Sequence, residues 1–294
     1  MEVAASTGEV AATSRPADFL ELTKPRITLL VLVTAAVGYA VGLPRAFDPA
    51  AFLALLAGTA LVAGGASAWN QYVERAADAR MQRTRTRPLP SGRVAPEEAL
   101  AFALVISAVG LALLASLNAL TAALGAVALG SYVFLYTPLK RVTSLCTVVG
   151  AVPGAIPPVM GWAAARGSLE PGAWGLFAVL FLWQLPHFLA IGWIYREDYA
   201  RGGFPILTVA DTDGRSTGRQ AILYCAALLP ATVLAGALFA AGPGYLWGSV
   251  ALGLGLLAFS GRFARSRSLA AARGLFLASV LYLPALLGLL VWGR

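Results

Sequence analysis

An apolar segment in the middle of the chain reads Trp174-Gly-Leu-Phe-Ala-Val-Leu-Phe-Leu-Trp-Gln-Leu-Pro-His-Phe-Leu-Ala-Ile-Gly-Trp-Ile-Tyr195 and carries no Asp, Glu, Lys or Arg. A helix needs about 20 mainly apolar residues to cross a bilayer, and this segment has that length. Eight more apolar stretches of this kind lie at residues 27–43, 51–69, 99–117, 120–136, 145–165, 220–241, 245–260 and 275–292. With 59% hydrophobic residues, the chain is also more apolar than a soluble domain. The sequence therefore predicts an all-α integral membrane protein with nine transmembrane helices in one bundle.

The basic residues predict the orientation of this bundle. All but three of the 22 lysines and arginines lie in the N-terminal segment or in the loops after spans two, four, six and eight. The exceptions are Arg45, Arg166 and Arg294. Because basic loops collect on the cytoplasmic side, we expect a cytoplasmic N-terminus and an outside C-terminus. The same asymmetry accounts for the net charge of +8, so no nucleic-acid partner is expected.

The chain is predicted to contain one membrane domain, residues 26–294, preceded by a short tail. Residues 1–25 are small, polar and partly acidic, and they lack the basic start and apolar centre of a signal peptide. We expect them to form a flexible cytoplasmic tail. Only two loops, residues 70–98 and 196–219, are long enough to carry chemistry, and both lie on the predicted cytoplasmic side.

The first of these loops begins with polar side chains spaced every fourth residue. Asn70, Glu74 and Asp78 share one helix face, and a run of arginines follows, including Arg83 and Arg87. Mg²⁺ prefers oxygen ligands and completes its shell with water and phosphate oxygens, while arginine pairs with phosphate through bidentate hydrogen bonds. The pattern favours a magnesium–diphosphate site. The alternative is a solvated helix end with ordinary ion pairs between neighbouring turns.

A second acidic helix end lies on the same side of the predicted bundle. Glu197 and Asp198 directly follow the sixth span, where they can approach a metal-bound diphosphate from the opposite direction. Asp211 and Asp213 lie in what is predicted to be a turn, and we interpret them as surface residues.

The only histidine, His187, lies inside the sixth span, roughly 16 Å deeper than Asp198 at the rise of an α-helix. Two interpretations remain open: a hydrogen bond to backbone loosened by Pro186, or a contact with a second substrate, such as a heme iron or a polar ring group. Trp183 and Gln184 are candidates to line the same cavity.

The Gly- and Pro-rich run at residues 150–161 is predicted to break the fifth span. Irregular backbone at membrane depth is tolerated only against protein or a cavity, so the run indicates an internal pocket. Close helix packing through small residues is the alternative.

Taken together, these motifs resemble a known family. Asn70-x3-Glu74-x3-Asp78, followed by Arg80-x2-Arg83-Thr-x2-Arg87-Pro-Leu, resembles the first signature of the UbiA-type intramembrane prenyltransferase superfamily. Four further motifs resemble, within that superfamily, the protoheme IX farnesyltransferase (heme O synthase) family: Tyr136-Thr-Pro-Leu-Lys-Arg141, Gly154-Ala-Ile-Pro-Pro-Val-Met-Gly-Trp162, Phe181-Leu-Trp-Gln-Leu-Pro-His-Phe188 and Asp198-Tyr-x3-Gly-Phe-Pro-Ile-Leu207. The final three spans carry no motif that matches.

The resemblance implies an enzyme of the bacterial inner membrane, with its active site on the cytoplasmic side. It implies Mg²⁺ as cofactor, farnesyl diphosphate and heme b as substrates, and heme O and diphosphate as products. An association with a downstream heme-modifying enzyme or with cytochrome oxidase assembly is compatible with it. The implied metal ligands are Asn70, Glu74, Asp78 and Asp198. The implied catalytic residues are Glu74, Asp78, Lys140 and Asp198. The implied substrate contacts are Asn70, Arg83, Arg87, Tyr136, Arg141, Trp183 and His187.

One departure from the superfamily pattern concerns the second motif, in which two acids often lie four residues apart. Here Ile194 stands four residues before Asp198, so most of the metal binding is expected to fall to the helix that carries Asn70.

The closest rival function is prenyl transfer to an aromatic quinone precursor. A membrane transporter is a rival of another class, but no Asp, Glu, Lys or Arg lies deep within a predicted span, whereas a charge-moving transporter requires ionisable groups at depth.

Overall fold

The computed structural model describes residues 14–43 and 46–293, and within these residues nine helices are long and apolar enough to span a membrane. The twelve helices are α1 (Arg15–Leu22), α2 (Pro25–Gly42), α3 (Pro49–Asp78), α4 (Pro96–Leu117), α5 (Ala119–Leu139), α6 (Cys146–Arg166), α7 (Pro171–Ile194), α8 (Arg196–Gly202), α9 (Leu207–Ala210), α10 (Arg215–Leu238), α11 (Pro243–Ser266) and α12 (Leu269–Trp292). Five of the spanning helices begin at a proline, which has no N–H to leave unpaired at the first helical position. The predicted all-α class and its nine spans are confirmed.

The spanning helices approach one another closely where glycine replaces a side chain. A Cβ atom on Gly161 of α6 would lie 2.0 Å from the carbonyl oxygen of Ala35 in α2, and one on Gly38 would lie 2.0 Å from that of Pro158. Contacts this short let two backbones pack directly, as is common in membrane bundles.

The expectation that the Gly- and Pro-rich run breaks the fifth span is wrong. Helix α6 continues from Cys146 to Arg166 with Pro153, Pro157 and Pro158 inside it. A transmembrane helix tolerates such prolines because neighbouring helices can satisfy the freed backbone groups. The small residues of the run serve helix packing, which was the alternative interpretation. Helices α6 and α7 are accordingly the most enclosed of the spans, whereas α4 and α5 have the smallest buried shares.

One end of the bundle, which we call the basic end, gathers α1, α8, α9 and the loop of residues 79–95. Within the predicted tail, residues 1–13 lie outside the described residues, and α1 is helical and attached rather than free. Arg93 pairs with Asp18 and donates to Glu21 at 2.8 Å. Arg80 donates to the carbonyl of Gly202 at 2.8 Å. These bonds tie α1 and α8 to the loop and give the basic end a defined shape.

Candidate active site

The row of polar side chains on α3 is enclosed in the bundle. Asn70, Glu74 and Asp78 expose 3%, 1% and 0% of their surface, and α3 runs unbroken through all of them. Helical periodicity aligns them on one face, as predicted from their spacing. Charged groups at such burial require partners, so the interpretation as a solvated helix end does not apply.

Neighbouring helices supply hydrogen-bond partners for Asn70 and Glu74. Lys140, at the end of α5, donates to both oxygens of Glu74 at 2.9 and 3.2 Å. Lys24 donates to the amide oxygen of Asn70 at 3.2 Å, and Asn70 donates in turn to the hydroxyl of Thr137 at 3.3 Å. The two lysines therefore reach α3 from different helices, Lys24 from the start of α2 and Lys140 from the end of α5.

Asp78 is paired on one oxygen only. Arg87 donates to Oδ2 at 2.8 Å, while Oδ1 is buried and has no hydrogen-bond partner among the described residues. Leaving a buried carboxylate oxygen unpaired is costly. An acceptor in this position is suited to receive a cation or a bound water.

Lys140 also faces aromatic rings. Its ammonium lies 4.3 Å from the ring centroid of Phe204 and 5.5 Å from that of Tyr199. Burial acts to lower the pKa of Lys140, but the carboxylate of Glu74 outweighs it and holds this pKa above its ordinary value. Lys140 is therefore a fixed positive charge within the site.

Lys24 is a site residue that the sequence argument missed. Its backbone adopts the left-handed conformation, with φ of 51°, directly before Pro25. Such strain in a residue other than glycine tends to occur at functional sites. Partial burial and the nearby Arg87 lower the pKa of Lys24 to about 7. The available signal was a lysine immediately ahead of the first span, on the predicted cytoplasmic side.

Asp198 lies at the basic end, where it fastens two segments together. Its oxygens accept from the backbone amides of Gln82 at 2.9 Å and Arg83 at 3.1 Å, and Arg201 pairs with it. Burial acts to raise the pKa of Asp198, but these three donors outweigh it and hold the pKa below its ordinary value. Its neighbour Glu197 is exposed. Asp198 thus joins α8 to the arginine-rich loop.

The remaining basic candidates differ in their surroundings. Arg83 stacks over Tyr195 at 5.1 Å and Tyr199 at 5.9 Å, and no hydrogen bond within the described residues uses its guanidinium. Arg141 is exposed and donates to the carbonyl of Val73 at 2.6 Å. Arg83 is therefore available to an anion, whereas Arg141 is already engaged with α3.

The aromatic candidate Tyr136 lies at a local change of helix geometry. Residues Ser131–Tyr136 of α5 form a π-helical turn, a feature that is frequent at functional sites. The ring of Tyr136 packs on Tyr132, with centroids 5.1 Å apart, and on the backbone of Gly150, where a Cβ would lie 2.6 Å from it. Tyr136 lies on α5 one turn before Lys140, and therefore deeper in the bundle than that lysine.

His187 and Trp183 form a separate group between α7 and α12. His187 Nδ1 lies 2.8 Å from the hydroxyl of Ser279, and Trp183 Nε1 donates to the Ser279 carbonyl at 2.8 Å. Gln184 points elsewhere and donates to the carbonyls of Leu180 and Ala151. The histidine therefore bonds to a side chain of the last span rather than to backbone freed by Pro186. No motif in the sequence had marked Ser279.

The row on α3 fits a magnesium ion that is shared with a phosphate group. No cluster of three or more His, Cys, Asp and Glu side chains that could hold a metal occurs among the described residues. Mg²⁺ needs less, because one or two carboxylates suffice when water and substrate phosphates complete its octahedral shell. Glu74, Asp78 with its unpaired oxygen, and the amide oxygen of Asn70 provide such a set.

Comparison with known proteins identifies relatives along nearly the whole chain. The model of the UbiA prenyltransferase family matches residues 31–284. The protoheme IX farnesyltransferase of Solibacter usitatus (strain Ellin6076) is 48% identical over 287 residues, covering 94% of this chain and 98% of that protein. The protoheme IX farnesyltransferase of Anaeromyxobacter sp. (strain Fw109-5) is 46% identical over 270 residues, covering 92% and 90%.

Solved structures share the fold at low sequence identity. A structure of digeranylgeranylglyceryl phosphate synthase superposes with a TM-score of 0.80 at 15% identity, covering 95% of this chain and 98% of that chain. A UbiA homolog from Archaeoglobus fulgidus bound to GPP and Mg²⁺ gives a TM-score of 0.67 at 15% identity, covering 93% and 99%.

Proposed function

Because the chain belongs to the UbiA prenyltransferase family, we propose that it is a protoheme IX farnesyltransferase. It transfers the farnesyl group of farnesyl diphosphate to a vinyl group of heme b, and the products are heme O and diphosphate. The high identity to curated protoheme IX farnesyltransferases over nearly their full length supports heme b as the acceptor.

The observation that carries the proposal is the charge balance around the α3 row. Lys24, Lys140 and Arg87 surround the carboxylates of Glu74 and Asp78. Lys140 and Arg87 offset the two carboxylates, and Lys24, whose pKa is lowered to about 7, is partly protonated near neutral pH, so the site carries a small net positive charge before any substrate binds. A diphosphate with a divalent cation carries a net negative charge close to neutral pH, so it complements this site.

Mg²⁺ would be held by Asn70, Glu74 and Asp78. When bound, it supplies positive charge that stabilises the departing diphosphate. The structure of the UbiA homolog from Archaeoglobus fulgidus bound to GPP and Mg²⁺ supports the proposal of a divalent metal here. Asp198 remains a proposed ligand from the second side, although it already accepts from three donors in the described residues. Asp198 would therefore contribute less to metal binding than the α3 row does. This agrees with Ile194, which stands where the superfamily often has an acid.

The cationic side chains bind and orient the diphosphate. Lys140 and Arg87 can exchange carboxylate for phosphate oxygens, since both already lie in the site, and Arg83 offers a free guanidinium at its edge. Arg141 contributes positive charge from the exposed rim. Departure of diphosphate breaks the C1–O bond and takes its electron pair, which leaves an allylic cation on the farnesyl chain.

An aromatic residue is assigned to the stabilisation of that cation. Tyr136 lies one turn before Lys140, and an aromatic ring of this kind can stabilise positive charge through its face. The vinyl group supplies the electrons of the new C–C bond, and water adds to the resulting cation with loss of a proton to give the hydroxyethylfarnesyl group. His187 and Trp183, deeper in the bundle, would position the heme.

We also propose that the basic end faces the cytoplasm of a bacterial inner membrane. The proposal rests on the positive-inside rule and on the many bacterial relatives. Since the product is an amphiphile that stays in the bilayer, association with a downstream heme-modifying enzyme or with cytochrome oxidase assembly remains a prediction.

The proposal is tested with the purified protein in nanodiscs, supplied with farnesyl diphosphate, Mg²⁺ and heme b, with pigment mass followed by liquid chromatography. We expect a mass gain of one farnesyl group plus one hydroxyl group. Asp78→Asn should abolish it, while Asp213→Asn, an exposed aspartate at the same end, should not. If a quinone precursor is prenylated and heme b is not, the acceptor is the quinone precursor rather than heme b. Activity that persists in EDTA would refute the metal site.

A further inference from the structure

The last span contributes one residue that contacts both candidate heme-positioning side chains. Ser279 of α12 is fully buried. Its hydroxyl lies 2.8 Å from Nδ1 of His187 and 2.6 Å from the carbonyl oxygen of Phe276, and its own carbonyl accepts from Trp183 at 2.8 Å. Family motifs on α12 had given no reason to select this position.

The protons of this group can be assigned by counting them. The contact between the Ser279 hydroxyl and the Phe276 carbonyl joins two oxygens, and only the serine has a proton to place between them. That hydroxyl must then accept, not donate, in its contact with His187. Nδ1 of His187 therefore carries a proton. The assignment follows from the hydrogen-bond network, because hydrogens themselves are inferred.

The imidazole is neutral, which leaves its second nitrogen as an acceptor. No carboxylate pairs with His187 in the part of the chain that the structure describes, and an unpaired cation within a spanning helix is expensive. With the proton on Nδ1, the lone pair resides on Nε2. Within the same residues Nε2 has no hydrogen-bond partner, and His187 is only half-buried.

The orientation of the ring is constrained as well. The ring of Trp183 stacks on His187 with centroids 5.1 Å apart and an interplanar angle of 23°, and Phe276 lies 5.1 Å away at 33°. Two flanking aromatic rings and one hydrogen bond resist a flip that would exchange the two nitrogens. The structure therefore presents one defined ring nitrogen.

We propose that Ser279 is a positioning residue, which holds His187 so that neutral Nε2 binds the iron of the heme substrate. A neutral imidazole is a common axial ligand of heme iron, and a hydrogen bond at the opposite nitrogen sets both tautomer and basicity. The inference rests on the proposed function, in which heme b is the acceptor. It gives α12 a role in positioning the heme, separate from the binding of the diphosphate and Mg²⁺.

The test compares Ser279→Ala with Ser249→Ala in nanodiscs. Ser249 is an equally buried serine in α11 that bonds only to the carbonyl of Leu246 among the described residues, so it controls for the loss of a buried hydroxyl. Ferric heme is titrated and followed by its Soret band and by electron paramagnetic resonance. Ser279→Ala should weaken heme affinity about 10-fold, as loss of a ligand-orienting bond does, and raise KM for heme but not for farnesyl diphosphate.

Two further variants complete the test. Ser279→Thr keeps the hydroxyl and should keep the wild-type spectrum, while His187→Gly should lose it and regain it with added imidazole. Wild-type spectrum and heme affinity in Ser279→Ala would overturn the inference, as would a lowered melting temperature alone. If heme binds with a His187-dependent spectrum but gives no product, the proposed function fails and the inference stands. If product forms while Ser279→Ala and His187→Gly both keep the wild-type spectrum, the inference fails and the function stands.

Discussion

The pair of Lys140 and Glu74 leads to a prediction that separates structural from catalytic charge. Lys140→Met keeps the length of the side chain but leaves Glu74 buried without its cation. At a separation of about 3 Å and an effective dielectric constant of about 20, the attraction is on the order of 5 kcal/mol. Removing one member of such a buried pair typically costs about 3–5 kcal/mol. This corresponds to a fall in melting temperature on the order of 10 °C.

The double variant Lys140→Met with Glu74→Gln should recover most of that stability. Replacing both members of a buried pair removes the unpaired charge together with its desolvation penalty. Prenyl-transfer activity should not recover, because the diphosphate loses one cation and the metal site loses one carboxylate. The second change should therefore restore stability without restoring activity.

The assay is thermal unfolding in nanodiscs with EDTA present, so that no divalent cation replaces Lys140 beside Glu74. Glu170→Gln provides the control, since the Arg166–Glu170 pair at 3.1 Å is partly exposed and should cost less than about 1 kcal/mol. Melting-temperature changes that simply add in the double variant would show that Lys140 and Glu74 are not coupled. That result would refute the reasoning.

Two other substitutions test the scaffold around the site. Asp198→Asn places an amide donor where the carboxylate accepts from the amides of Gln82 and Arg83, at a cost of about 1–3 kcal/mol. Limited proteolysis should then cleave within residues 79–95 faster, and unchanged cleavage would argue against this loop attachment. Gly161→Ala should lower the melting temperature, because its Cβ would lie 2.0 Å from the carbonyl oxygen of Ala35. Gly255→Ala, which meets nothing within 4 Å, should be neutral or slightly stabilising, and equal effects of the two would contradict the packing account.

The residues of the α3 row show how much of the site was predictable. Their four-residue spacing alone placed Asn70, Glu74 and Asp78 on one face, because helical periodicity is a local property. Burial of that face was not predictable from the spacing, since it depends on which helices cover α3. Lys24 illustrates the difference: it is 46 positions from Asn70 in sequence and meets it only through the packing of α2 on α3.

Length and hydropathy thus determined the number of spans, while residue identity and spacing determined the family motifs and the polar face of α3. Each is set within one helix or loop, where neighbouring residues act through fixed backbone geometry. Tertiary structure alone decided the partners: Lys140 on Glu74, both oxygens of Asp198 occupied by a loop, and Ser279 on His187. Those contacts join segments far apart in the chain, and their distances depend on how glycine-mediated helix packing brings the spans together.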